Sequence, residues 1–138
     1  MIDFEGVDVV VEDDRDDSSV RRAIGSALGV PESRVVVIAD VSQYPNPESA
    51  DVVVVTSLAG GQFAKVLSIQ TSRRSLPYEN PLDPMQRLCD ELGTRCLVPD
   101  DSANPYSMWL VTRDEAPQRV GLAADELDED RYVICEDR

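Results

Sequence analysis

Apolar and polar residues in this chain follow two different periods, and the switches between them mark its elements. Val7 to Val11 is an apolar run broken only by Asp8, which predicts a first strand. From Ser18 to Leu28 the spacing lengthens. Val20, Ile24 and Leu28 recur every four residues, with Ala23 and Ala27 beside them, and predict a helix with one apolar face. Asp17 or Ser18 is placed to cap its start, and Gly29 followed by Pro31 suits its end. Arg34 to Val41 is dense in β-branched residues and reads as a strand buried on both faces. Tyr44-Pro45-Asn46-Pro47-Glu48 reads as a loop, and Asp51 to Leu58 as a third strand. Gly60-Gly61 then predicts a hairpin turn into a fourth strand, Gln62 to Gln70, because paired glycines accept the positive φ such turns need. In that strand Phe63, Lys65, Leu67 and Ile69 share one side, and Ala64, Val66 and Ser68 the other.

The second half repeats the alternation. Ser72 to Pro81 is a polar linker, and Asp83-Pro84 opens a second helix. Met85, Leu88, Cys89 and Leu92 form its apolar face, and Gly93 ends it. Thr94 to Val98 is a short strand, and Pro99 to Tyr106 a loop. Ser107 to Arg113 is a strand with Trp109 and Val111 on one side and Met108, Leu110 and Thr112 on the other. After a turn at Ala116-Pro117, Gln118 to Leu122 returns antiparallel. Tyr132-Val133-Ile134 ends the pattern as a strand or short helix. The order β-α-β-β-β-α-β-β-β predicts a single α+β domain over residues 1–138, a mostly antiparallel sheet with two helices packed on one face. The first β-α-β unit is expected to add a parallel pair through a right-handed crossover.

Charge changes the picture most. The chain has 27 acids against 13 bases, a formal charge of -14 over 138 residues. That exceeds the range of about 2–8 units that serves the solubility of a small domain. The sign argues against nucleic acid and anionic membrane as partners and favours a basic protein. The alternative is an acidic, halophile-like surface with no specific partner. An apolar content of 42% is that of a folded domain. No apolar run approaches the roughly 20 residues that span a bilayer. Met1-Ile2-Asp3-Phe4-Glu5 lacks the basic region of a signal peptide, so a cytoplasmic protein is expected. Cys89, Cys96 and Cys135 show no C-x-x-C spacing and read as small buried hydrophobes in a reducing compartment. The valine-rich strands leave monomer and homodimer both open.

The chemistry-bearing residue types narrow the classes further. No histidine occurs, which removes the commonest general base and zinc ligand and the Ser-His-Asp and Cys-His arrangements. Gly60-Gly61 lacks the following Lys-Ser/Thr of a phosphate loop, and no G-x-G-x-x-G occurs. Neither a cofactor nor catalysis is expected. Glu12, Asp13, Asp14, Asp16 and Asp17 have the chemistry to hold Mg²⁺ or Ca²⁺, but do not match a calcium-loop pattern. As acids at a helix start they are also favoured by the exposed N–H groups there.

Twelve of the 27 acids lie in two segments: Glu12 to Asp17, and Asp125, Glu126, Asp128, Glu129 and Asp130 extended by Glu136 and Asp137. Brought together, they would make a single-sign patch suited to a basic cleft; apart, they are solvated faces. Tyr44, Tyr78 and Tyr106 are candidate interface anchors, whereas Trp109 sits mid-strand and reads as core. Arg73 and Arg74 form a basic pair that offsets nearby acids.

The run Met85-Gln86-Arg87-Leu88-Cys89-Asp90-Glu91-Leu92-Gly93-Thr94-Arg95-Cys96-Leu97-Val98-Pro99-Asp100-Asp101 is a helix ending at Leu-Gly, then a strand ending at Pro-Asp-Asp. Asn104-Pro105-Tyr106-Ser107-Met108-Trp109-Leu110-Val111 opens a hairpin, and Leu127-Asp128-Glu129-Asp130-Arg131-Tyr132 an acidic tail. Over about residues 83 to 134 this resembles the immunity proteins of bacterial toxin systems, such as those of contact-dependent inhibition. The resemblance implies a small cytoplasmic protein that binds the toxic domain of a cognate effector, often a basic nuclease, and blocks its active site or substrate surface. Two alternatives stand beside it. An acidic secretion chaperone would expose a large apolar patch. A carboxylate-based Mg²⁺ enzyme would converge inward-facing acids on one cleft.

Overall fold

The computed structural model describes residues 5–39, 42, 50–71, 82–99, 106–113 and 115–135. Tyr44, Tyr78, Arg73, Arg74, Glu136 and Asp137 lie outside these, as do most of both proline-containing segments. The elements in chain order are β1 (Glu5–Val11), α1 (Asp17–Leu28), the 3₁₀ turn η1 (Glu32–Arg34), β2 (Val35–Ile38), β3 (Val52–Leu58), β4 (Gly60–Gly61) and β5 (Lys65–Thr71). There follow α2 (Leu82–Leu92), β6 (Cys96–Pro99), β7 (Ser107–Val111), β8 (Gln118–Leu122), α3 (Ala124–Leu127), β9 (Arg131–Tyr132) and β10 (Ile134–Cys135).

Eight strands form one sheet in the order β10-β8-β7-β6-β1-β5-β3-β2. Every neighbouring pair is antiparallel except β2 and β3. The fold is therefore α+β and mostly antiparallel, as the element order predicts. The parallel pair is not made by the first β-α-β unit, because β5 and β3 stand between β1 and β2. β2 lies at the sheet margin, with Val35 and Ile38 buried but Val36 and Val37 half-exposed, so it is not buried throughout.

Strand alternation divides the interior into layers. On one face α1 and α2 pack against each other and onto the sheet. Val20, Ile24 and Leu28 of α1 and Met85, Leu88, Cys89 and Leu92 of α2 join Val9, Val11, Leu67, Ile69, Val98 and Val111 in the main core. Burying each of the larger of these side chains contributes about 1.5–3 kcal/mol. On the opposite face Val10, Leu97, Met108, Leu110 and Leu122 are covered by Phe63 and by Leu127, Tyr132 and Ile134 of the C-terminal segment. Phe63 thus lies on the other side from Leu67 and Ile69. It precedes β5, which begins only at Lys65, so the strand alternation does not reach it.

Other local details also differ from expectation. The cap of α1 is Asp16, whose side chain accepts from the Ser19 amide, rather than Asp17 or Ser18. α2 starts at Leu82, which places Pro84 within its first turn, where its missing N–H costs nothing. Gly60-Gly61 is not a two-residue turn. The hairpin closes at the Leu58–Lys65 pair, and the glycines form a strand that runs parallel to Arg131–Tyr132. Among the described residues no helix is long and apolar enough to cross a membrane.

Candidate binding surface

The first acidic segment leaves β1 and enters α1, and its carboxylates turn toward cations of the same chain. The Glu12 amide continues the ladder by donating to the Arg95 carbonyl at 2.9 Å. The Glu12 carboxylate takes both arms of the Arg95 guanidinium, at 3.2 and 2.8 Å, the paired geometry that holds an arginine best. This hydrogen bond raises the Arg95 pKa further. Asp13 accepts from Arg15 at 3.2 Å, and its amide donates to the Thr94 hydroxyl at 3.0 Å. Asp14 pairs with Lys65 at 2.7 Å, and the lysine also donates to the Arg15 carbonyl. Asp16 caps α1; the Ser19 hydroxyl and then the Ser19 amide hold its carboxyl below the usual range. Asp17, exposed in the first turn, completes the set.

The second segment is differently built. α3 begins without a side-chain cap, and the Ala123 amide is anchored on the Val133 carbonyl at 2.9 Å. Asp130 adopts the left-handed conformation at φ 62, which aspartate tolerates better than most residues. Its carbonyl accepts from the Gly60 amide at 3.2 Å. Glu126 takes the Arg131 guanidinium at 2.6 Å. Asp125, Asp128, Glu129 and Asp130 are exposed, with no ion pair among the described residues. A short strand pair fixes the segment: Gln62 donates to the Tyr132 carbonyl, and the Ile134 amide to the Gln62 side chain at 2.7 Å. Burial, then Asp130 and Asp8, lift the Tyr132 phenol above its ordinary pKa.

Both segments meet the same hairpin end. Lys65, which holds Asp14, is the cross-strand partner of Leu58. Gly60, two residues beyond Leu58, is held by the Asp130 carbonyl. Segments more than a hundred positions apart in sequence thus flank one loop. The same hairpin end carries Leu58, 82% exposed and the one large apolar side chain so exposed among the described residues. The sequence reading missed it, because its alternation only marked Leu58 as the end of a valine-rich strand.

The aromatic candidates separate. Tyr106 is half-buried against the second core cluster, where its carbonyl accepts from the Leu122 amide, so it packs more than it projects. Trp109 is half-buried at the margin of the helix-side core, with the Arg119 guanidinium 4.7 Å above its ring. Cys89 and Cys96 are buried as expected; Cys135 is exposed. Among the described residues no group of three or more histidine, cysteine or carboxylate side chains is placed to hold a metal ion. No protein-family model, curated protein or solved structure matches the chain.

Proposed function

We propose that this chain is a binding protein that neutralises the toxic domain of a cognate bacterial effector, a basic, nuclease-like domain whose active site or substrate surface it covers. One observation carries the reading: two acidic segments remote in sequence meet the same hairpin end, which also bears the exposed Leu58. Acidic groups and an apolar side chain at one hairpin end fit a basic cleft with a small apolar recess. Its field speeds encounter, and the apolar contact slows release. The resemblance to toxin-system immunity proteins supports the same reading. Most acids of the first segment have internal partners, so the second segment carries most of the unpaired charge in this proposal. A secretion chaperone is less well supported, since among the described residues Leu58 is the single large apolar side chain that is exposed.

The test is a titration of the purified chain against the toxic domain encoded by the neighbouring gene. Tight binding that weakens with salt is expected, together with loss of the toxin's nuclease activity. The triple variant Asp125→Lys, Asp128→Lys, Glu129→Lys is expected to lower the association rate at least about tenfold at low salt. A neighbour that does not bind, or a rate unchanged in the variant, sinks the reading.

A further inference from the structure

The helix-side core holds two thiols that a binding role does not use. Cys89 stands in the last turn of α2 and Cys96 opens β6, and both are completely buried. The Cys89 Sγ donates to the carbonyl oxygens of Thr94 and, at 3.3 Å, Val111. Val111 is also the cross-strand partner of Cys96, so both cysteines adjoin the same strand position within one buried core cluster. The neighbouring Cys96 thiol lowers the Cys89 pKa, while Cys89 and then burial hold Cys96 well above the ordinary thiol range.

The turn between these cysteines is where the first acidic segment is anchored. Arg15 donates to the carbonyls of Leu92 and Gly93, the Asp13 amide to the Thr94 hydroxyl, and the Glu12 amide to the Arg95 carbonyl. Every one of these acceptors lies between Cys89 and Cys96 in the chain.

We propose that Cys89 and Cys96 are a redox modification site, at which a peroxide-class oxidant closes a reversible disulfide around the turn that seats the acidic segment. The Cys89 sulfur attacks one peroxide oxygen and the O–O bond breaks. Cys89 becomes a sulfenic acid, and the departing oxygen leaves as water with the thiol proton. The Cys96 sulfur then displaces the sulfenic oxygen as a second water, and the S–S bond forms. Two thiols lose two electrons and two hydrogens; the peroxide is reduced to two waters. The oxidant gains access by opening of the last turn of α2, since helix ends open more readily than their middles. The closed crosslink limits that same opening and holds the acidic segment more firmly.

The test uses the full chain with Cys135→Ser, which removes the exposed thiol and leaves the buried pair intact. After hydrogen peroxide the protein is unfolded in denaturant, alkylated, digested and mapped by mass spectrometry. A Cys89–Cys96 crosslinked peptide that dithiothreitol reverses is expected. Hydrogen exchange at the Asp13 amide is expected to slow roughly threefold or more in the oxidised protein. Adding Cys96→Ser should remove the crosslink and leave a sulfenic acid on Cys89. Quantitative alkylation of both cysteines after peroxide overturns the site, whether or not the Cys96 variant folds. A crosslink with unchanged exchange at Asp13 overturns its link to the acidic segment. None of these readouts depends on a toxin partner.

Discussion

The Arg15 guanidinium donates to the Leu92 carbonyl at 2.9 Å, joining the entry to one helix to the exit of the other. The last carbonyls of a helix lack intrahelical donors and carry partial negative charge, so a cation there supplies both a hydrogen bond and a favourable field. Arg15→Ala is therefore expected to destabilise the chain by about 1–2 kcal/mol. Urea unfolding reads it as a lower midpoint at unchanged slope. A midpoint equal to that of the parent protein would show that the contact contributes nothing.

Two glycines in the left-handed region offer a matched comparison. Gly61, at φ 80, lies where an added Cβ would sit 2.8 Å from the Tyr132 carbonyl oxygen; at Gly29, φ 73, nothing lies within 4 Å. Gly29→Ala is expected to cost about 1 kcal/mol, the conformational term alone. Gly61→Ala must also push the C-terminal segment off β4, so its cost rises to about 2–4 kcal/mol. Thermal unfolding ranks the two, and equal losses would contradict the close approach at Tyr132.

Acid should weaken the start of α1 through Asp16. Its folded pKa lies below the ordinary value of 3.8, because Ser19 hydrogen-bonds the charged form. The contribution is complete above 3.8 and fades as the pH falls through the lowered folded value. Asp16→Asn keeps a capping oxygen without the titration. The stability difference between parent and variant is expected to shrink across that acid window, and a difference that stays constant would contradict the assignment.

Exposure separates two large aliphatic residues. Ile24 is 0% exposed in the α1 face of the core, and Leu58 is 82% exposed. Ile24→Ala is expected to cost about 2–5 kcal/mol by losing transfer energy and leaving a cavity. Leu58→Ala should change stability by no more than about 0.5 kcal/mol. Denaturant unfolding of both variants checks this; a large loss at Leu58 would place it in the fold rather than at a binding surface.

Local periodicity carried much of the architecture. The apolar faces of α1 and α2, the glycines that end them, and the split of β7 into Trp109 and Val111 against Met108 and Leu110 all match the structure. Each depends on residues within one or two turns, where spacing alone decides which side chains share a face. The same reasoning placed Phe63 with Leu67, because it extended the strand past its true start at Lys65.

The sequence by itself determined an acidic α+β domain with two amphipathic helices, two acidic segments, and no histidine with which to build the commonest catalytic sites. Only the tertiary structure decided where each segment stands. It placed β5 and β3 between β1 and β2, made Gly60-Gly61 a strand partner of Arg131–Tyr132, and turned Glu12 and Asp14 toward Arg95 and Lys65. The reason is physical: a strand or a carboxylate takes its partner from whatever the closed chain brings within a few ångströms, and here those partners lie tens of positions away along the sequence.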